Sequence, residues 1–188
     1  MELNTYPLVC TRGVVLYPNQ EIVIDVGRGA SVHAVENAQD NYDKKICLFS
    51  QKELEQENPG KEDIYPVGTL CEVRHIRRFD NFLRVKFRGI KRVKLNNWIN
   101  GSLSDLAEVE ILESEKQDAV EEEALIRMIA DELDRMQGQD RFVTKEIVME
   151  ISKGMGGEFL SDKAVQGLPL DIERKQQYLE TLGVNDRL

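Results

Sequence analysis

The sequence predicts an α+β fold in two consecutive parts. Residues 1–112 read as a twisted, barrel-like β-sheet with one helix, and residues 113–188 as an all-α bundle. Three observations carry this. Up to residue 112 the chain offers short apolar, β-branched runs bounded by Gly, Pro, Asn and Asp. Within LRVKFRGIKRVKL, residues 83–95, Leu83, Val85 and Phe87 alternate with Arg84, Lys86 and Arg88, the period of a half-buried strand. From residue 115 to 136 Gly and Pro vanish and apolar residues recur at helical spacing.

The first strand is expected at 6–10, bounded by Thr-Arg-Gly, and a second at 14–17, stopped by Pro18. EIVIDV, residues 21–26, is the third, closed by Gly27-Arg28-Gly29. Ser31 then caps a short helix, SVHAVENAQ, which Asn41-Tyr42-Asp43 breaks. KICLF, 45–49, is a strand, and the charged run 51–63 a loop. TLCEVRHI alternates imperfectly, which predicts a bulge. Asp80-Asn81 turns the chain into residues 83–95, with Gly89 marking a kink. Residues 106–112 form the last strand.

In the second part, Leu125, Met128, Ile129, Leu133 and Met136 form one helical stripe, ended by Gly138. Asp140 caps a second helix bearing Val143, Ile147 and Ile151; residues 159–165 form a third. Asp171 caps a fourth, with Ile172, Leu179 and Leu182 inside and Gly183 closing it. Such helices are stable only when their stripes are buried together. Val184-Asn185-Asp186 reads as the start of a further helix, so a truncated piece of a longer protein is expected.

The composition excludes several classes. No apolar run approaches the 18 residues of a membrane span, and the N-terminus lacks a charged n-region and an apolar h-region. Cys10, Cys47 and Cys71 are odd in number and far apart, which predicts buried reduced thiols rather than disulfides or a zinc knuckle. The formal net charge is −9, yet residues 74–94 hold nine Lys and Arg against Asp80 alone, a local +8 that leaves −17 elsewhere. A polyanion would meet one basic patch inside a repelling field.

Catalytic patterns are missing from the sequence. There is no G-x-x-x-x-G-K-[ST] loop and no G-x-S-x-G elbow, and Gly27-Arg28-Gly29 lacks the third glycine of a dinucleotide fingerprint. His33 and His75 have no ligand-like companions. Glu121, Glu122 and Glu123 sit near a helix N-terminus, where negative charge is favourable. The expectation is a non-catalytic binding module with no cofactor or metal.

YPLVCTRGVVLYPNQEIVIDVGRGASVHAVENA resembles the opening of the Lon protease N-terminal domain family, through Pro7, Leu8, Arg12, Gly13, Val14, Val15, Leu16, Pro18, Val26, Gly27, Arg28 and Ser31. DKKICLFSQK, IYPVGTLCEV, FRGIKRVKL and LPLDIERKQQYLETLGVNDRL are similar to later blocks of that family, with Cys71 where a small residue is usual. The resemblance spans the chain; residues 153–159 depart from a turn where the family often has Asp-Pro. It implies a PUA-like pseudobarrel followed by a helical bundle. It further implies the substrate-recognition and assembly region of a cytoplasmic, hexameric, ATP-dependent serine protease, whose Ser-Lys dyad and ATPase module (with ATP and Mg) lie outside this sequence. The implied partners are unfolded or damaged proteins and further copies of the chain.

Two candidate surfaces follow. Exposed apolar residues would contact unfolded chains: Tyr17, Pro18 and Ile22 near the Pro18-Asn19 loop, and Met155 and Phe159 in a Met- and Gly-rich segment. The alternative is a freestanding domain that binds nucleic acid, polyphosphate or a small ligand through Arg74, Arg77, Arg78, Arg84, Lys86, Arg88 and Lys94, with Phe79 and Phe82 nearby. Against that alternative, the same cations can be no more than the wet face of a strand whose apolar face is buried.

Overall fold

The structure, a computed structural model, describes residues 4–136, 149, 151 and 153–188. Two compact units emerge, Met1–Leu112 and Glu113–Leu188.

The first unit runs β1 (Asn4–Thr11), β2 (Glu21–Val26), α1 (Gly29–Asn41), β3 (Lys45–Ser50), β4 (Val67–Arg78), β5 (Leu83–Ile99) and β6 (Leu106–Leu112). The strands form one mixed sheet in the order β2-β5-β4-β3-β1-β6, and β5 also pairs with β6. β1 and β3 are parallel; the other pairs are antiparallel. Strand β5 makes this possible by its length of 17 residues: its first part lies between β2 and β4, its last part against β6.

Two apolar clusters lie on opposite faces of β3. Ile46 and Leu48 join Val9, Leu16, the α1 residues Ala34, Val35 and Ala38, and Leu83, Val85 and Phe87. Cys47 and Phe49 join Leu8, Ile64, Leu70, Val93, Leu95, Ala107 and Val109. A strand buried on both sides must be apolar throughout, which is why KICLF shows no alternation. Over residues 83–89 of β5 only one face is buried, and the alternation is clean. Leu83, Val85 and Phe87 are 2%, 0% and 0% exposed, each contributing roughly 1.5–3 kcal/mol of hydrophobic stabilisation. The bulge expected in β4 is present as register shifts at Leu70/Cys71 and Val73/His75.

Two local expectations are corrected. Residues 14–17 are not a strand. Two of their carbonyls are satisfied by hydroxyls instead: Thr11 Oγ1 and Ser50 Oγ donate to Val14 O at 2.7 and 2.6 Å, and Thr69 Oγ1 donates to Leu16 O. That lets Val15, Leu16 and Tyr17 be buried without a ladder. Nor does Ser31 cap α1. The first turn closes on Arg28, whose carbonyl accepts from Val32 N at 2.9 Å, so Ser31 lies within it.

The second unit contains α2 (Ala119–Met136), α3 (Gly157–Gly167), α4 (Ile172–Glu180) and the short α5 (Val184–Arg187). Asp118 Oδ1 accepts from Val120 and Glu121 N–H at the start of α2, and Asp171 caps α4 by accepting from Arg174 N at 2.8 Å. The α2 stripe is corrected at Met128, which is 67% exposed; Ile126 is half-buried in its stead. Leu160, Val165, Leu179 and Val184 are buried. Arg187 Nη1 lies 3.9 Å from Asp162 Oδ1, both side chains sealed from solvent. Asn185 Nδ2 donates to Asp118 O and Glu121 Oε2, tying α5 to the start of α2. The helix expected from Asp140 falls outside the described residues.

A Cβ on Gly89 would run into the carbonyl of Tyr17, whereas one on Gly29 meets nothing within 4 Å. Gly89→Ala is therefore expected to destabilise the chain by about 1–3 kcal/mol through overpacking. Gly29→Ala should be neutral or slightly stabilising, since alanine is the better helix former. Urea denaturation of both variants, compared with wild type, measures the difference.

Candidate functional site

The outer face of β2, β5 and β4 carries the basic residues, and strand register decides what they meet. Glu21 lies opposite Arg88, Val23 opposite Lys86 and Asp25 opposite Arg84. On the other flank of β5, Arg88 is opposite Glu72, Lys86 opposite His75 and Arg84 opposite Arg77. Five cations counting Arg74 thus share this face with three carboxylates.

Most of these cations are engaged. Arg84 grips Asp25 with two bonds, Nε to Oδ1 and Nη2 to Oδ2, both 2.7 Å. Lys86 Nζ is 2.6 Å from Glu21 Oε2, and Arg74 Nη1 is 3.0 Å from Glu72 Oε2. Beyond that face, Arg78 Nη2 meets Glu36 of α1 at 2.6 Å. Hydrogen bonding from Arg84 holds the Asp25 carboxyl below its ordinary value, and Lys86 does the same for Glu21, where Arg74 and Arg88 add to the field. Exposed pairs of this kind add little to stability, but they occupy the guanidinium and ammonium groups a phosphate would need.

At the β4–β5 turn Phe79 and Phe82 stack on each other, centroids 4.6 Å apart, with Arg77 5.2 Å from the Phe79 centroid and Arg84 5.3 Å from it. The aromatic faces expected to receive bases are thus already partly covered. Of the seven basic candidates, Arg74, Arg78, Arg84 and Lys86 are in ion pairs and Arg77 is on a ring, while Arg88 and Lys94 project from β5.

The apolar candidates divide differently. Tyr17 is completely buried and Pro18 is buried, so the expected exposed loop is corrected: the crossing 14–18 is core. Ile22 is half-buried and packs on the first cluster. Met155 and Phe159 are half-buried in the second unit. Met155 borders a hollow with Ile126, Ala130 and Ile151, and Lys163 Nζ lies 5.8 Å from the Phe159 centroid. Exposed large apolar side chains lie elsewhere: Val23, Leu54 and Leu103 in the first unit, Val120, Met128, Met149 and Leu168 in the second.

A cavity of about 470 Å³, for which the sequence carries no signal, lies between the end of β1, the start of α1 and the 57–59 loop. Arg12, Arg28, Glu57, Asp105 and Trp98 line it. Burial depresses the Arg28 guanidinium and Arg12 beside it adds repulsion; Gln51 Oε1 accepts from Arg28 Nη2 at 2.7 Å. Trp98 Nε1 donates to Asp105 Oδ2 at 3.1 Å. With two cations and two carboxylates on its wall, the cavity has no dominant sign. Cys10 borders it with its thiol pushed up to about 12, chiefly by burial, and burial likewise raises Cys47 and Cys71. Among the described residues no group of His, Cys, Asp and Glu is arranged to hold a metal ion, and no helix is long and apolar enough to cross a membrane.

One unit built on a mixed sheet with a charge-compensated outer face and one built of helices define the class: a two-part α+β module. The model of the ATP-dependent protease La (LON) substrate-binding domain matches residues 5–188, and the chain belongs to that family. It is 30% identical to the Lon protease of Buchnera aphidicola subsp. Acyrthosiphon pisum over all 188 residues, 33% to that of Syntrophomonas wolfei and 28% to Lon protease 1 of Bacillus subtilis. It spans 24%, 23% and 24% of those relatives, about a quarter of their length. The N-terminal domain of a Mycobacterium avium complex Lon protease has the same fold, with a TM-score of 0.77 at 17% identity over 98% of this chain and 94% of that one. The Lon N-terminal domain protein from Xanthomonas campestris gives 0.67 at 15% identity over 98% and 94%.

Two outcomes are expected. Arg84→Gln should return the Asp25 carboxyl toward its ordinary value of 3.8, read by NMR titration. A depressed carboxyl stabilises the fold above its ordinary value and loses that effect as pH falls through the folded one. The variant's deficit should therefore be present at neutral pH and vanish in acid. Second, Cys47 and Cys71 should resist a thiol reagent in the native protein and Cys10 should react slowly, all three reacting at once in guanidinium.

Proposed function

We propose that this chain binds unfolded or damaged proteins on behalf of an ATP-dependent, Lon-type serine protease and itself breaks no bonds. The observation that carries the reading is the family match over residues 5–188, the description of which is a substrate-binding domain. The physical reading supports it: no nucleophile–base pattern stands in the sequence, and the conspicuous basic face is largely neutralised by its own neighbours. Peptide hydrolysis, with ATP and Mg, belongs in this reading to segments of a longer cytoplasmic protein.

The cycle of pairings through β5, β4, β3, β1 and β6 is read here as a PUA-like pseudobarrel. In other settings such a barrel would suit nucleic acid, but the pairing of Arg74, Arg84 and Lys86 with carboxylates favours a protein partner. Self-association into a hexamer is the second element of the proposal. Six weak sites on one ring would raise avidity with no new contact.

The test is photo-crosslinking of the chain to one protein in two states, native and chemically unfolded. Preferential labelling of the unfolded state is expected, and equal labelling of both defeats the proposal. A single-stranded oligonucleotide should show no mobility shift at physiological salt, since few cations remain to release counterions.

A further inference from the structure

β2 is the one strand of the described sheet with a single neighbour, β5. Among the described residues no strand pairs with its other edge. The phase of the β2–β5 ladder follows from one bond: Gly89 N donates to Gln20 O at 2.9 Å. In an antiparallel ladder, bonded pairs recur every second residue, so Ile22, Ile24 and Val26 turn their main-chain groups toward Phe87, Val85 and Leu83. Glu21, Val23 and Asp25 turn theirs the other way. No main-chain or side-chain hydrogen bond of the described residues reaches the N–H or C=O of these three. All three residues are exposed, Val23 by 56%.

Proteins ordinarily guard such an edge with lysine, proline, a bulge or a covering loop. EIVIDV has neither lysine nor proline, and its pairing with β5 runs without a register shift. The contrast lies across the same sheet. β4 extends beyond its pairing with β3, which ends at Glu72, but that extension carries Arg74, Arg77 and Arg78 and a register irregularity at Val73/His75. One edge is defended and the other is not. Beside the undefended one runs a groove of about 360 Å³, bounded by residues 24–27 on one side and by Val9, Cys10 and Val14 on the other. The carboxylates of Glu21 and Asp25 are held by Lys86 and Arg84, so the edge does not repel an incoming chain.

We infer that the open edge of β2 captures an extended segment of unfolded polypeptide as an added strand. Three donors and three acceptors on alternate residues would bind main chain, which every unfolded protein exposes whatever its sequence. The groove would take alternate side chains. A second copy of this chain fits less well: β2 against β2 would join two bodies of charge −9. The inference rests on the reading that this chain binds unfolded protein.

Residue-resolved amide exchange of the whole chain tests it, with reduced, carboxymethylated α-lactalbumin as the unfolded probe. With the probe at about ten times its dissociation constant, exchange at Glu21, Val23 and Asp25 should slow about tenfold. Ile22, Ile24 and Val26, already bonded to β5, should not change. Val23→Lys, which adds the guard the edge lacks, should weaken probe binding while leaving the urea midpoint in place. If the probe binds but protection falls elsewhere, the edge is not the site and the broader function stands. If the probe does not bind at all, both fall. Protection that appears without probe and grows with protein concentration would assign the edge to a second copy and overturn the inference.

Discussion

The sheet unit depends on one close approach. Where residues 17–20 pass over β5, Asn19 N donates to Gly89 O and Gly89 N to Gln20 O, each at 2.9 Å. Only glycine leaves room there, because the Tyr17 carbonyl occupies the space a Cβ would need. This contact fixes the register of β2 on β5. Register then decides which side chains share the outer face, and a slip of one residue would send every side chain of β2 to the wrong side. Ile22 and Ile24 would leave the first cluster, and Asp25 would lose Arg84. The charge balance of the outer face and the phase of the open edge both follow from those two hydrogen bonds.

The basic strand illustrates how a local pattern misleads until register is known. Read along the chain, residues 74–94 are a +8 block. Read across the sheet, the same cations alternate with Glu21 and Asp25 of β2 and Glu72 of β4, the two strands that flank β5. Burial of Leu83, Val85 and Phe87 is the larger effect and dictates the alternation. The choice of charged residues for the wet positions then answers to the neighbours, since like charges directly opposite one another are destabilising. Arg77 opposite Arg84 is the exception, and there Phe79 accepts both guanidiniums on its ring.

How much was legible in the sequence follows the range of each interaction. Period-two alternation is local, so β2, β5 and β6 stand where their residues place them. The expected β4 bulge is likewise local, because Val73, Arg74 and His75 break the alternation visibly. Residues 14–17 look like a strand because β-branched burial looks alike with or without a ladder. Only the hydroxyls of neighbouring Thr11 and of Ser50 and Thr69, which are distant in sequence, show that the ladder is replaced. Tyr17 and Pro18 were expected at the surface for the same reason: a Pro-Asn turn is usually exposed, and nothing nearby announces that β5 lies over it. On α2 the spacing of Met128 fits the stripe, but neighbouring Ile126 faces the hollow with Ala130, and an apolar pattern two residues wide has no single phase. The cavity beside Arg12 and Arg28 draws on residues from 8 to 105 and has no sequence signature at all.

Under the proposed function, a module that holds unlike sequences has a physical problem to solve. Side-chain pockets discriminate, whereas main-chain groups do not, and in a folded protein main-chain groups are nearly always spoken for. A closed cycle of strands would leave none. Here β5 is long enough to serve the cycle with its second half and to carry β2 outside it with its first. That arrangement stabilises a six-residue strand on one side while its other side stays unpaired. Aggregation is the ordinary cost of such an edge. The net charge of −9 works against the pairing of this edge with the same edge of another copy. Repulsion between copies acts over several ångströms through water, while main-chain pairing acts at contact. An uncharged stretch of foreign chain meets only the second, and this difference in range would let the edge remain open to substrate and closed to its own kind.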